Sequence, residues 1–218
     1  MDEKGFMTGQ IGKEQRIVPL AHIKNGQTPY ARVDGSREWV TLIASICADG
    51  SALTPCLIYK GANGQVDTSW VSDAEPLEDK YFVAASDKGW TNNHIAMQWL
   101  DLFHKETLPK LADSRTRRLL IVDGHSSHIN YAFIIKCNVH RILLCVLPPH
   151  STHRLQPLDV GLFCPLATAY TREHTKHAVC WEGKIGVTKS YFYRIFKAAW
   201  NVSTSPDNIK SSFRKAGI

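Results

Sequence analysis

Two apolar stretches decide the fold: Arg118-Leu-Leu-Ile-Val-Asp123 and Arg141-Ile-Leu-Leu-Cys-Val-Leu147. Each is short and almost continuously apolar, which is typical of a strand buried in a parallel sheet. A short helix predicted over residues 127–138 separates them, so we expect the two strands to lie parallel to each other. This pattern predicts an α/β protein.

The region upstream adds antiparallel strands. Residues Trp39–Cys47 and Leu53–Tyr59 flank an Asp-Gly turn and predict a hairpin. Pro55 predicts that the second strand lies at a sheet edge or carries a bulge. Further short strands are expected near Tyr81–Ala84 and, at an edge, over residues 16–20. The sheet is therefore predicted to be mixed.

Helical patterns flank these strands. Residues 91–111 predict a helix capped by Thr91 or Asn92, and residues 156–177 predict a second one. Pro165 is expected to kink or split that second helix. The aromatic and basic segment Tyr191–Trp200 predicts a last helix, which we expect to dock on the core, with DNA contact as the alternative.

Composition sets the broad class. The 218 residues are 44% hydrophobic and 21% charged, which is typical of a globular chain with a sizeable core. The net charge of +6 suits a polyanionic partner without proving one. The six cysteines form no Cys-x-x-Cys pair, which predicts reduced thiols in a cytosolic or nuclear protein. The apolar runs are too short to span a bilayer, so no membrane partner is expected.

Two aspartates follow the two decisive strands. Asp123 ends the first strand, where open α/β sheets place ligands, although a helix-capping or turn aspartate would look the same. Asp159 follows the next strand, in the first turn of a helix, where favourable interaction with the helix N-terminus is the alternative. Two acids after consecutive strands of a basic protein favour a common site. We expect their carboxylates to lie roughly 4–8 Å apart and to share a divalent cation.

Four motifs occur in order along the chain: Asp2-Glu-Lys-Gly-Phe6, Asp123-Gly-His-Ser-Ser-His128, Leu147-Pro-Pro-His-Ser-Thr-His153 and Gln156-Pro-Leu-Asp-Val-Gly-Leu-Phe163. In this order they resemble the DDE-superfamily endonuclease domain of pogo-like transposases, a family related to centromere protein B and the jerky proteins. The hairpin and Ser86-Asp-Lys-Gly-Trp90 also match the family. The resemblance covers residues 2–175.

This resemblance implies an RNase H-like fold and a set of catalytic residues. Asp2 matches the family's first acid, on the first strand, Asp123 the second and Asp159 the third. Together the three would hold two Mg²⁺ or Mn²⁺ ions for in-line displacement at a DNA phosphodiester. The implied partner is DNA, as transposon ends or non-specific duplex, and the implied setting is a homodimer in the nucleus.

The resemblance also places polar residues around these acids. His125, His128 and His153 are expected to contact phosphate or to hydrogen-bond the carboxylates, and Gln156 is expected to orient Asp159. Structural capping remains an alternative for each of them.

Paired histidines leave a zinc site as another alternative. His125 and His128, and likewise His150 and His153, have His-x-x-His spacing. A structural zinc site needs four converging nitrogen or sulfur ligands, and no cysteine lies beside either pair.

The chain departs from the family pattern at two places. Ala167 stands where the family usually has a lysine, and only Met1 precedes Asp2 although the family's first strand precedes and includes that acid. We therefore expect a truncated first strand, and a positively charged α-amino group that competes with a metal for Asp2. Both features predict poor or absent catalysis by residues 1–218. Residues 1–178 are predicted to form the endonuclease domain and residues 179–218 a helical extension. Two hypotheses remain: a Mg²⁺-dependent DNA-cleaving domain, or an inactive domesticated or relic domain that only binds DNA or a protein partner.

Overall fold

The computed structural model describes residues 1–8, 38–72, 74, 79–113, 115–124, 130–180 and 188–218. The strands in this part of the chain are β1 (Asp2–Met7), β2 (Trp39–Ala44), β3 (Cys56–Lys60), β4 (Phe82–Ser86), β5 (Arg118–Val122) and β6 (Ile142–Val146). The α-helices are α1 (Asn93–Thr107), α2 (Tyr131–Val139), α3 (Thr152–Leu155), α4 (Phe163–Cys180), α5 (Lys189–Ser203) and α6 (Pro206–Lys215). A π-helical turn (Leu158–Leu162) precedes α4, and short 3₁₀ turns lie at Ala62–Gly64, Thr68–Val71 and Leu108–Lys110.

The described strands form two sheets that meet at Met1. The larger sheet has the order β1-β2-β3-β4. In it β2 is antiparallel to both β1 and β3, and β4 is parallel to β3. The smaller sheet pairs β5 with β6 in parallel. Where the sheets meet, the amino group of Met1 donates a hydrogen bond to Ile121 O at 2.9 Å. The mixed α/β architecture and the parallel pairing of the two decisive strands are confirmed.

The hairpin forms as predicted, but the inference drawn from Pro55 was wrong. β3 is an internal strand between β2 and β4. Pro55 lies immediately before its first residue, Cys56, where the missing N–H leaves no rung of the ladder empty. The Pro55 carbonyl instead accepts a hydrogen bond from Phe82 N at 3.0 Å. The edge strand predicted over residues 16–20 lies outside the described residues.

Local capping signals set the helix ends. Asn92 caps α1, because its side-chain oxygen accepts a hydrogen bond from Ile95 N at 2.9 Å. The irregularity predicted at Pro165 lies earlier, in the π-helical turn, where Phe163 N donates to Leu158 O five residues back. Helix α6 was not predicted, although Ser205, whose hydroxyl accepts from Asn208 N, and Pro206 at the first position are ordinary start signals.

Two hydrophobic clusters cover the two faces of the larger sheet. The first joins one face to α4, α5 and α6, so the last two helices of the chain belong to this core. Its members include Phe6, Leu42, Leu57, Tyr59, Leu162, Phe192, Phe196 and Ile209. The second joins the opposite face to α1, α2 and the inner face of β5 and β6. Its members include Ile43, Ile58, Trp99, Leu120, Val122, Phe133 and Ile142.

The expected burial of β5 and β6 was wrong for one face of their sheet. Leu120 and Val122 point into the second cluster and are buried. Leu119 and Leu143 point to the opposite face and are 59% and 45% exposed. They are paired neighbours in the ladder, so the exposed apolar surface is continuous. An apolar strand is buried on both faces only where a layer of the fold covers each face.

Candidate active site

Asp2 is a buried carboxyl group at the start of β1, with 7% of its surface exposed. The pKa of Asp2 is raised to about 7, first by burial and then by the nearby charges of Asp159 and, less strongly, Asp123. A hydrogen bond from Glu3 N to the Asp2 carboxylate, at 2.8 Å, acts in the opposite direction. A buried acid beside two other acids is unfavourable for folding and is typical of a functional site.

The other two predicted acids lie at the ends of their elements. Asp123 immediately follows β5 and is half-buried. Asp159 is the second residue of the π-helical turn and its side chain is exposed. Both act on the ionisation of Asp2, so the structure brings the three charges into one electrostatic neighbourhood.

Met1 connects the three segments that carry these acids through two hydrogen bonds. Its amino group donates to Ile121 O on β5, two residues before Asp123. Its carbonyl oxygen accepts a hydrogen bond from Gln156 Nε2 at 2.8 Å, three residues before Asp159. Met1 itself is buried and precedes Asp2 directly. Two hydrogen bonds at one residue therefore fix β1 against both other segments.

The positive charge expected on the amino group of Met1 was wrong. Burial lowers the pKa of the Met1 amino group to about 6, against the opposing influence of Asp2 and then Asp123. The group is therefore mainly neutral at pH 7. It occupies the position beside Asp2 chiefly as a hydrogen-bond donor to Ile121 O rather than as a competing cation.

The donor chemistry of this site fits a hard divalent cation, because Mg²⁺ and Mn²⁺ prefer carboxylate oxygens. The pKa of Asp2 is raised first by burial and then by repulsion from the other acids, and a bound cation would relieve that repulsion. Within the described part of the chain, however, no three His, Cys, Asp or Glu side chains converge as a ready metal-binding group. The separation of roughly 4–8 Å expected between Asp123 and Asp159 stays a prediction.

The supporting residues have separate outcomes. Gln156 is fully buried, but its amide binds Met1 O and not Asp159, so the role expected for it was wrong. His153 is exposed on α3, and His150 is exposed in the preceding turn. His125 and His128 lie outside the described residues, so neither a contact with the acids nor a zinc pair is assigned to them.

A contact between α6 and the π-helical turn was missed by the sequence reasoning. A Cβ atom added at Gly161 would lie 2.7 Å from Ser212 Cβ and 2.8 Å from Ser212 Cα, so only glycine allows this approach. The turn that carries Asp159 is therefore held from outside by the last helix. The signal was present in the Ser205-Pro206 start of α6 and in Gly161 itself.

Among the comparisons with known proteins, a family model and a curated relative indicate the family. The family model of the DDE superfamily endonucleases matches residues 36–213, a range that includes Asp123 and Asp159. A human protein, the pogo transposable element with ZNF domain, is 24% identical over 123 residues, covering 56% of this chain and 8% of that protein. A crystal structure of a pre-cleavage Mos1 transpososome superposes on 100% of this chain and 55% of its own with a TM-score of 0.53 and 14% identity. That likeness concerns the fold alone and confirms the expected RNase H-like architecture.

A further relative carries a different name. The MFS-type transporter clz9 of Cochliobolus lunatus is 39% identical over 224 residues, which is all of this chain but 22% of that protein. The chain thus spans about a fifth or less of the curated relatives it matches. Among the helices of the described residues, none is long and apolar enough to cross a membrane.

Proposed function

The chain belongs to the DDE superfamily of endonucleases, and from that premise we propose that it is a DNA strand-cleavage and strand-transfer domain that uses Mg²⁺ or Mn²⁺. Asp2, Asp123 and Asp159 are the proposed metal ligands. The relationship to a pogo element identifies the domain as transposase-derived.

The ionisation of Asp2 carries this proposal. A carboxyl group that is 7% exposed, with its pKa raised to about 7 by burial and by two other acids, costs stability. Such a cost is typical of a site that exists for chemistry, because catalytic groups are held where folding alone would not place them. Two bound cations would supply an activated water or 3′-hydroxyl group and would stabilise the leaving oxygen.

Residues of this chain position the ligands. The Glu3 N–H bond fixes one oxygen of Asp2, and the Gln156–Met1 hydrogen bond holds the start of β1 against the segment that carries Asp159. The bond from Met1 N to Ile121 O holds the same strand against the end of β5, next to Asp123. Small displacements of ligands in such a site cost activity, because geometry within about half an ångström is needed.

The alternative function is a domain that binds DNA or a protein partner and does not cleave. The observation that favours it is the lack, in the described residues, of three side chains converged for metal binding. Both functions share the fold and differ in whether the three acids work together.

A plasmid-nicking assay separates the two functions. The two hydrogen bonds of Met1 and its mainly neutral amino group weaken the grounds for expecting poor catalysis. With Mg²⁺ or Mn²⁺ we therefore expect the unmodified chain to nick supercoiled plasmid, and Asp123→Asn and Asp159→Asn each to lower the rate at least 100-fold. Asp101→Asn is the matched control, because Asp101 is an exposed acid on α1 that pairs with Lys136 at 2.6 Å, outside the acid group. Activity that survives both active-site substitutions, or absence of activity with intact Mn²⁺ binding, contradicts the cleavage proposal.

Metal binding gives a second test that is independent of turnover. Calorimetric titration with Mn²⁺ should show saturable binding that Asp123→Asn weakens at least tenfold and Asp101→Asn leaves unchanged. Stoichiometric zinc retained through purification, and lost on replacing His150 or His153, would instead support a zinc site.

DNA, as transposon ends or non-specific duplex, is the proposed partner, and the proposed setting is a homodimer in the nucleus. The net charge is only +6, so we expect weak, sequence-independent binding that falls steeply with salt. Titration of unrelated duplexes at two salt concentrations measures this, and a hundredfold preference for one duplex would contradict it. Residues 1–178 are proposed to carry the catalytic acids, with 179–218 as a supporting helical extension.

A further inference from the structure

Lys4 lies on the same side of β1 as the Asp2 carboxyl group. Alternate residues of a strand face the same way, so the side chains of Asp2, Lys4 and Phe6 point to one face of the larger sheet. Phe6 contributes to the first hydrophobic cluster, together with Phe163 at the start of α4. Lys4 is therefore a cationic residue about 7 Å along β1 from a proposed metal ligand, on the face that α4 covers.

The charge of Lys4 is not neutralised by the nearby acids. Its Nζ atom lies over the ring of Phe163, 5.2 Å from the ring centroid. Within the described part of the chain, Lys4 forms no hydrogen bond or ion pair. Its charge is also not among those that shift the pKa of Asp2. A half-buried ammonium group without a counter-ion is unfavourable, so a bound anion would stabilise it.

Helix α4 runs beside β1 in the same direction, away from the acids. Near the start of both elements Lys4 contacts Phe163. Further along both, Tyr170 donates a hydrogen bond from its hydroxyl group to Met7 O at 3.4 Å. One acid lies two residues before Lys4 and another lies four residues before Phe163. The ammonium group of Lys4 therefore lies on the path that leads from the acids along α4.

A shallow depression of about 490 Å³ on α4 begins one turn beyond Phe163. It is lined by Ala167, Thr168, Thr171 and Arg172. Ala167 and Thr171 follow Phe163 at intervals of four residues, so they continue the helical face that Lys4 contacts. Among the described lining residues the charged one is Arg172, and its side chain is 62% exposed. The surface that continues from Lys4 thus offers space and a second cation.

The charges along this path favour a polyanion. Glu173 is shared by two cations, because its Oε1 atom lies 3.6 Å from Arg172 Nε and 2.7 Å from Lys176 Nζ. One acid between two cations leaves a net positive charge at the far end of the path, and Lys4 adds a positive charge near its start. Arg172 lies about 13 Å beyond Phe163 along the helix axis. That separation corresponds to about four nucleotides of one DNA strand, at about 3.4 Å per nucleotide.

We propose that Lys4 and Arg172 bind backbone phosphates of the DNA strand that leaves the acid group along α4. Lys4 binds a phosphate within about two nucleotides of the reacting one, and Arg172 binds a phosphate about four nucleotides further along. Contacts to phosphates position a strand without reading its sequence. The inference rests on the proposed function, because the path begins at the proposed metal ligands.

The test measures how the affinity for a short DNA duplex depends on salt, without divalent metal so that no strand is cut. Each neutralised phosphate contributes about 0.9 to the slope of log affinity against log salt concentration. Lys4→Met keeps an apolar stem over Phe163 and removes the charge. It should lower the slope by about one and weaken binding about three- to tenfold at about 50 mM salt. Lys4→Arg keeps the charge and should keep the slope.

Three further variants control for the position of the charge. Lys105→Met is the matched control, because Lys105 is an exposed lysine of α1, on the opposite face of the larger sheet, and it should keep the slope. Ala167→Lys in the Lys4→Met chain places an ammonium group one turn further along the same helical face, and should restore a slope of about one. Arg172→Met should also lower the slope, and its effect should add to that of Lys4→Met, because the two residues bind different phosphates.

Single-turnover nicking of plasmid separates this inference from the proposed function. Lys4→Met should raise the protein concentration needed for the half-maximal rate about three- to tenfold and leave the maximal rate within about twofold, whereas Asp123→Asn lowers the maximal rate. Lys4→Met should also keep the Mn²⁺ affinity and the melting temperature of the unmodified chain.

The outcomes of the two experiments are distinct. An unchanged salt slope in Lys4→Met overturns the inference even where the unmodified chain nicks DNA. An equal loss of slope in Lys105→Met or in Lys4→Arg also overturns it, because the effect would then come from overall charge or from packing. A slope that falls in Lys4→Met alone, in a chain that does not nick DNA, supports the phosphate contact and contradicts cleavage only.

Discussion

β3 and β6 have similar apolar sequences, Cys-Leu-Ile-Tyr-Lys and Ile-Leu-Leu-Cys-Val, yet only β3 is covered on both faces. Leu57 of β3 contributes to the first hydrophobic cluster, and its neighbour Ile58 contributes to the second. In β6, Ile142 is buried but Leu143 is 45% exposed. The apolar character of a strand thus reports that it belongs to a sheet, whereas its burial depends on which elements pack against that sheet.

The difference between the two sheets explains where the acids lie. The larger sheet is held on both faces by helices, and it carries Asp2 at the end that meets β5. The smaller sheet carries Asp123 and is covered on one face only. Asp2 and Asp123 therefore lie on either side of the boundary between a sheet covered on both faces and a sheet covered on one face.

The largest effect is expected from two matched leucines in these sheets. Leu57→Ala removes a fully buried side chain of β3 and should lower the free energy of unfolding by about 2–5 kcal/mol. Leu143→Ala in β6 should cost about 1 kcal/mol or less, because half of that side chain already contacts water. Urea unfolding of both variants measures the difference. Equal costs would show that the outer face of β6 is covered in solution.

The next effect concerns Asp2 and depends on pH. Its pKa is raised from 3.8 to about 7 in the folded chain, so ionisation costs stability as pH rises from about 4 to about 7, and the whole cost remains above pH 7. The difference between the two pKa values corresponds to about 4 kcal/mol. Asp2→Asn should therefore stabilise the chain by about 2–4 kcal/mol at pH 8 and by little at pH 4.

That experiment needs a control, because the Met1 amino group changes the stability of the folded chain with pH in the opposite direction. Its pKa is lowered to about 6, so its burial destabilises the chain fully below about pH 6, and this cost is relieved as pH rises toward 8. Asp101→Asn, at an exposed position, should show no such pH-dependent gain. An Asp2→Asn variant with the same stability as the unmodified chain at pH 8 would mean that Asp2 is solvated rather than buried.

A smaller effect is expected at the contact between α6 and the π-helical turn. Gly161→Ala places a methyl group against Ser212 and should cost about 1–3 kcal/mol by overpacking. Ser212→Gly should recover part of this loss in the double variant, because it removes the Cβ atom that lies 2.7 Å away. Thermal unfolding of the single and double variants measures the coupling. Additive effects would show that the two residues do not touch.

The smallest effects compare the helix caps of the two regions. Asn92→Ala removes the cap of α1, and Asn130→Ala removes the cap of α2, whose oxygen accepts from Phe133 N at 2.8 Å. Each should cost about 0.5–2 kcal/mol. In both variants, the backbone amides of α2 should exchange faster than those of α1, because Tyr131 and Val139 of α2 are exposed. Greater protection of α2 would contradict the comparison.

Local patterns predicted most elements and two acid positions because both depend on neighbouring residues. The runs that became β5 and β6, and the aspartates that follow them, are readable within a few positions. The Met1 hydrogen bonds are not, because they join residues 120 and 155 positions apart. Pro55 misled for the same reason, since the position of β3 inside the sheet is set by β4, well downstream.

The π-helical turn makes the orientation of Asp159 depend on the number of residues in the turn. A π-turn spans five residues per hydrogen bond where an α-turn spans four, so it amounts to one residue inserted into a helix. Deleting one residue there would restore an α-helical count and turn Asp159 by about 100° relative to α4. Substitutions at Leu158, Val160 and Leu162 can be absorbed by side-chain repacking, whereas Gly161 is fixed by its contact with Ser212. A one-residue deletion would rotate Asp159 about the helix axis while leaving the hydrophobic contacts of α4 in place. The segment between Gln156 and Phe163 is therefore constrained in its number of residues as well as in the identity of Gly161 and Asp159.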